Sequence, residues 1–117
     1  MDRPKFGTAV PQRRYQVGEY SAVVLGDIES IDDIDYTYIL AVIVEGATHP
    51  KLYVTLERNR GTRAQEGSHR MRVVGENINE EIGSSDQWKT PDAFAATALA
   101  VAMNLLALTD EQPVRLM

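Results

Sequence analysis

The chain contains no cysteine among its 117 residues. Disulfide bonds, thiolate metal sites and a cysteine nucleophile are therefore excluded. Histidine is scarce as well, and the two present, His49 and His69, show none of the HxxxH or HExxH spacings that bind zinc. We therefore expect neither a metal site nor a cofactor.

Motifs of the common catalytic classes are also missing. Ser84 and Ser85 precede a carboxylate, but no Gly-x-Ser-x-Gly turn accompanies them. Gly61 and Gly67 bracket a polar loop without leading into a helix, as a phosphate-binding loop requires. The acidic residues 27–33 lack the alternating ligands and central glycine of a calcium loop. These absences favour a non-enzymatic protein, and an enzyme with a site shared across a dimer interface is a third alternative.

No hydrophobic run is long enough to cross a membrane. Residues 94–108 carry no charge, but these fifteen residues fall short of the roughly 20 that a spanning helix needs. No apolar segment follows Met1, so a secretory signal is not visible. The sequence therefore predicts a cytoplasmic protein that does not associate with membranes.

The composition is that of a folded protein, with 44% hydrophobic and 25% charged residues. A chain of this length predicts one domain, which we place at residues 14–117. Residues 1–13 contain Pro4 and Pro11 and no sustained periodicity, so we expect a loose N-terminal arm there.

The predicted fold class is α+β: a four-stranded antiparallel meander followed by one long C-terminal helix packed on one sheet face. Apolar alternation indicates the four strands, and polar composition makes residues 75–89 a predicted loop. The predicted strands are 15–26, 34–44, 52–57 and 70–73. In the second strand, Tyr36 and Tyr38 are predicted to share a face.

The helix begins at a recognisable sequence signal. Thr90 can cap it, Pro91 suits the first helical position, and Asp92 meets the positive end of the helix dipole. We expect the helix to end near Leu108. On a helical wheel, one apolar sector should face the sheet. That sector contains Phe94, Ala98, Val101, Leu105 and Leu108.

A second apolar sector of the helix predicts self-association. Leu99, Met103 and Leu106 lie beside the sheet-facing sector, and a four-stranded sheet covers one side of a helix. Ile39 and Ile43, on the other sheet face, also need a cover. We predict a homodimer through these five residues, because most oligomers are symmetric dimers. The alternative is that the N-terminal arm or the 75–89 loop folds over them.

Charges are sorted along the chain, although the net charge is −5. Residues 58–72 are basic, and acidic stretches lie at 27–35 and 76–92. Arginines beside an aromatic ring can pair with phosphates while the ring stacks on bases. The candidate anion or nucleic-acid contacts are Arg58, Arg60, Arg63, His69, Arg70, Arg72 and Tyr53. The alternative is that the arginines pair with the acidic stretches.

Residues 52–61 (LYVTLERNRG) resemble the strand and turn of PUR-type single-strand nucleic-acid binders. The repeats of that family run ββββα and dimerise, so the resemblance implies a nucleic-acid-binding dimer. The likeness covers ten residues and an element order, and it departs after Gly61, where residues 62–67 contain no aromatic.

Two functions therefore stay open. The first is a small non-enzymatic homodimeric interaction protein whose ligand is unknown, and the second is a nucleic-acid or polyanion binder using the hairpin 58–72.

Overall fold

The structure is a computed structural model, and it describes residues 3–117. In this part of the chain, one antiparallel sheet of seven strands packs against one α-helix. The elements in chain order are β1 (Phe6–Val17), β2 (Tyr20–Ser30), β3 (Tyr36–Val44), β4 (Leu52–Arg58), a 3-10 helix (Gly61–Gln65), β5 (His69–Gly75), β6 (Asn79–Ser85), α1 (Pro91–Leu105) and β7 (Val114–Arg115). The strand order across the sheet is β6-β5-β4-β3-β2-β1-β7. The α+β class with an antiparallel sheet is confirmed, whereas the expected count of four strands is wrong.

One of the three additional strands, β1, comes from the beginning of the chain. The predicted strand 15–26 is interrupted by a tight turn at Gly18, which has a φ of 58°, so β1 ends at Val17 and β2 starts at Tyr20. Residues 6–13, expected to form part of a loose arm, are the first two thirds of β1. Pro11 is tolerated there because β7 covers the outer edge of β1 only at Tyr15 and Gln16. Residues 1–2 of the predicted arm lie outside the described residues.

β6 occupies part of the segment that was predicted as a loop. It forms one edge of the sheet and pairs only with β5, and its first four residues are exposed. Polar residues such as Glu80 and Glu81 suit an edge strand because they discourage pairing with another chain. The same polarity removed the apolar alternation by which a strand is recognised in a sequence.

The sheet has two apolar faces, and each is covered by the chain itself. The first face packs against α1, with Leu40, Val54 and Phe94 all fully buried. On the second face, the buried residues are Tyr36, Ile39, Ala41, Tyr53 and Val74. Phe6 and Ile28, from the far end of the β1–β2 hairpin, pack against this second cluster with Leu25 and Ile34. The cover that Ile39 was predicted to need thus comes from its own chain.

Tyr36 and Tyr38 lie on opposite faces of the sheet, which corrects the prediction that they share one. The β3–β4 pairing shifts register between them, so Tyr36 belongs to the second face. Tyr38 stacks on Phe94, with 5.6 Å between ring centroids. Simple alternation failed because a bulge adds a residue to one strand.

The predicted start of α1 is confirmed in detail. The Thr90 hydroxyl accepts a hydrogen bond from the Ala93 N–H at 3.1 Å, Pro91 is the first helical residue, and Asp92 lies in the first turn. The helix ends at Leu105 rather than near Leu108.

The rotation of α1 about its axis differs from the prediction. The buried helical residues are Phe94, Ala95, Ala98, Leu99 and Ala102, whereas Leu105 is 46% exposed. Three alanines on the buried side let the helix approach the sheet closely. Large apolar residues cover too much of this helix for a helical wheel to determine its rotation.

Candidate functional site

A buried carboxylate lies on the second face of the sheet. Glu57 is 1% exposed, its Oε1 accepts a hydrogen bond from Arg70 Nε at 3.0 Å, and Arg70 Nη2 lies 2.9 Å from the same oxygen as an ion pair. Thr55 Oγ1 donates to Glu57 Oε2 at 2.7 Å, and Arg72 Nε lies 3.3 Å from the same oxygen. Strand alternation places Thr55 and Glu57 on one face, and the β4–β5 register sets Arg70 opposite Glu57. The two arginines offset the desolvation of the carboxylate.

Further hydrogen bonds extend from the two arginines that contact Glu57. Arg70 Nη1 donates to Asn59 Oδ1 at 3.2 Å, and Asn59 Nδ2 donates to the Gly67 carbonyl at 2.9 Å. At the other end, Arg72 Nη1 donates to Asn79 Oδ1 at 3.1 Å. We call Thr55, Glu57, Asn59, Arg70 and Arg72 the Glu57 network. Its members lie on β4, just after β4 and on β5, and the bond from Arg72 to Asn79 links them to β6.

A cavity of about 300 Å³ opens above one end of the Glu57 network. Residues 3–5, the turn before β3 and four strands surround it. Its lining is Arg3, Pro4, Lys5, Asp32, Ile34, Tyr36, Thr55, Glu57, Arg72, Val74 and Asn79. The rim at residues 3–5 is held in place, because Pro4 is buried, Lys5 N–H donates to Asp32 Oδ2 at 3.2 Å and Ile31 N–H donates to the Lys5 carbonyl at 2.9 Å.

Asp32 organises the turn beside the cavity. Its carboxylate accepts hydrogen bonds from Ser30 Oγ at 2.8 Å, the Ile34 N–H at 3.1 Å and the Tyr36 hydroxyl at 2.8 Å. Burial alone would raise the pKa of Asp32, but these bonds to the ionised form, with that from Lys5, hold the pKa below its usual 3.8. Burial and the neighbouring Asp32 raise the pKa of Tyr36. At neutral pH Asp32 is therefore ionised and Tyr36 protonated, which suits binding better than proton transfer.

Most of the arginines that were predicted to contact an anion or a nucleic acid form ion pairs with acidic side chains. Arg60 Nη2 lies 3.0 Å from Asp35 Oδ2, and Arg63 Nη2 lies 2.5 Å from Glu81 Oε1. Arg70 and Arg72 pair with Glu57 instead of facing solvent. The alternative interpretation, in which the arginines pair with the acidic stretches 27–35 and 76–92, therefore describes Arg60 and Arg63. Arg70 and Arg72 pair with a glutamate outside those stretches, and Arg58 is exposed.

His69 and Tyr53 do not join the exposed arginines as a stacking surface. Burial, followed by the charges of Arg58 and Lys89, lowers the pKa of His69, so its ring is neutral at neutral pH. Tyr53 is only 7% exposed and packs within the second-face cluster. A base could not stack on that ring without movement of its neighbours.

The predicted dimer residues differ in how much surface they offer. Ile39 is fully buried and Leu99 is 7% exposed, so their own chain already covers them. Met103 and Leu106 pack against the first-face core but are partly exposed, and Ile43 is partly exposed as well. The side of α1 turned away from the sheet is made of small and neutral residues. Ala96, Ala100, Asn104 and Leu105 are exposed there.

Of the cavity residues, the sequence made Arg72 alone a candidate ligand contact. Glu57 could have been found by one signal: it is a carboxylate directly after the β-forming run 52–56, and the next predicted strand contains two alternating arginines. Arg3 and Lys5 left no signal, because only the folded chain brings residues 3–5 to the turn before β3.

No protein-family model, no curated protein and no solved structure matches this chain. Within residues 3–117, no three histidine, aspartate or glutamate side chains are grouped so as to hold a metal ion. The one helix in that range lacks the length and apolarity to span a bilayer.

Proposed function

We propose that this chain is a small, non-enzymatic interaction protein that acts as a homodimer through the outer face of α1. The observation that supports this most is the absence of charge on an exposed helix face. No charged residue occurs between Asp92 and Asp110, although Ala96, Ala100 and Leu105 are exposed. A surface helix ordinarily carries charged residues on the side away from its core. An apolar, uncharged face of this kind is typical of a surface that meets another protein.

The shape of this face suits a second copy of the same helix. Ala96 and Ala100 lie one turn apart, and small side chains let two helices approach to the short end of the usual 8–10 Å. In a two-fold contact, Met103 of one copy can fill the space above the alanines of the other. Such a contact is self-complementary, and it needs no charge on either side.

Light scattering tests the dimer directly. A particle of about twice 13.0 kDa is expected at micromolar concentration. An Ala100→Glu variant should scatter light as a monomer, because a dimer would bury two unpaired carboxylates against each other. The matched control is Ala64→Glu, which makes the same change at an exposed position of the 3-10 helix and should remain dimeric. A native chain that stays at 13.0 kDa would contradict the proposal.

The second candidate, a polyanion or nucleic-acid binder, is supported by the exposure of Arg58 and Arg60 at the β4–β5 connection. The Arg60 side chain is 73% exposed despite its pairing with Asp35. If this function holds, labelled single-stranded DNA should bind at low salt, and Arg58→Ala with Arg60→Ala should reduce both affinity and salt dependence. Arg14→Ala, at an exposed position on β1, is the control. Absence of salt-dependent binding would exclude this candidate.

A further inference from the structure

We infer that the cavity above the Glu57 network is a binding site for a small organic anion, a carboxylate or a phosphate carried on a short apolar group. The inference does not depend on the dimer. Its first support is that the two carboxylates in the cavity wall have their hydrogen bonds filled. Glu57 is bonded by Thr55 and Arg70, and Asp32 by four donors that include Tyr36. Neither carboxylate needs a cation or a donor from a ligand.

The second support is that donors remain in excess on the same wall. Within residues 3–117, the guanidinium of Arg3 and the ammonium of Lys5 have no ion pair or side-chain hydrogen bond. Arg72 Nε is buried and lies 3.3 Å from Glu57 without the alignment of a hydrogen bond. Among residues 3–117, Arg3 and Lys5 thus border the cavity as unpaired cations, whereas both anions in its wall, Glu57 and Asp32, are already bonded. The missing partner is an acceptor with negative charge.

The third support is the size and the apolar wall of the cavity. About 300 Å³ is the lower end of the range for small-molecule sites, which excludes a polymer enclosed within it. Ile34, Tyr36 and Val74 form an apolar side next to the cations. A ligand with a charged head and a short apolar body would contact both. The buried Pro4 and the two backbone bonds at Lys5 keep the cationic rim in place before binding, which lowers the ordering cost.

The test is an amide NMR titration of the full chain with benzoate, phenyl phosphate and neutral benzamide. Saturable shifts are expected at Ile34, Tyr36 and Val74 with at least one of the two anions, at a Kd of about 1 mM or tighter. The anion that binds more tightly identifies the preferred head group. Arg3→Ala combined with Lys5→Ala should weaken binding about tenfold, since both are exposed side chains and their loss removes two charge-assisted contacts.

The control variant removes the same amount of charge elsewhere. Arg14→Ala combined with Arg58→Ala alters two exposed arginines that do not border the cavity, and should leave the Kd within about twofold. Three results would each overturn the inference: no saturable shift from either anion up to about 10 mM, equal binding of benzamide, or an equal loss in the control variant. The Ala100→Glu variant should bind the anion with the same Kd as the native chain. The anion titration therefore tests the cavity independently of the dimer proposal.

Discussion

Replacement of Glu57 by glutamine is expected to lower the free energy of unfolding by about 3 kcal/mol. The buried carboxylate holds Arg70 and Arg72, whose side chains are 19% and 29% exposed. Glutamine keeps the size of the side chain but leaves both guanidinium groups without a countercharge, and its amide presents donors towards them. Partial exposure of the arginines keeps the loss at the lower end of the cost of breaking a buried pair, about 3–5 kcal/mol.

Urea unfolding followed by circular dichroism measures this loss. Glu80→Gln is the matched control, because Glu80 is exposed on β6 and has no such partners, and it should change stability by less than about 0.5 kcal/mol. Equal midpoints for Glu57→Gln and the native chain would show that the Glu57 network contributes nothing to the fold. An anion that fills the cavity should stabilise the native chain by mass action, which links this measurement to the ligand titration.

The sequence predicted the middle of the sheet and the start of the helix well. β3 and β4 are buried on one face or both, so apolar alternation and β-forming residues mark them clearly. Thr90 and Pro91 form a capping signal that depends only on neighbouring residues. Local chemistry determines such features, and local patterns therefore reveal them.

Elements at the sheet edges could not be predicted in the same way. β6 and the first half of β1 are edge segments whose polar residues and Pro11 suit solvent exposure, so their sequences look like loops. The rotation of α1 depended on how closely its alanines approach the sheet, and that distance is a property of the packed structure. The element order ββββα, on which the resemblance to PUR-type repeats depended, is replaced by six strands before the helix.

In the candidate site, too, local features could be predicted from the sequence and long-range contacts could not. The basic segment 58–72 was recognised from its charge, but its role was misjudged because ion pairs depend on register. Arg70 and Arg72 reach Glu57 only through the β4–β5 pairing, and Arg63 reaches Glu81 on a strand that was not predicted. The cavity combines residues 3–5 with the turn at Asp32 and with four strands. Such long-range combinations leave no periodic signal in a single sequence.

Gly67→Ala is expected to be the other severe substitution, with a loss of about 3 kcal/mol or more in the free energy of unfolding. Gly67 has a φ of 145°, a region that side-chain-bearing residues rarely adopt. A Cβ at this position would lie 2.6 Å from the backbone nitrogen of Ser85 and 2.9 Å from its Cα. Backbone atoms cannot rotate away as a flexible side chain can, so the β5–β6 pairing would have to shift.

That shift should reach the Glu57 network, because the Gly67 carbonyl accepts a hydrogen bond from Asn59, which in turn binds Arg70. Gly61→Ala is the matched control in the same connection: Gly61 has a φ of 61° but nothing lies within 4 Å of an added Cβ. Gly61→Ala should lower the free energy of unfolding only by the strain of the left-handed backbone conformation, about 1 kcal/mol. Thermal unfolding should therefore show a much lower Tm for Gly67→Ala than for Gly61→Ala. Equal losses would mean that the close approach of Gly67 to Ser85 does not constrain the fold, and backbone conformation alone would then account for both glycines.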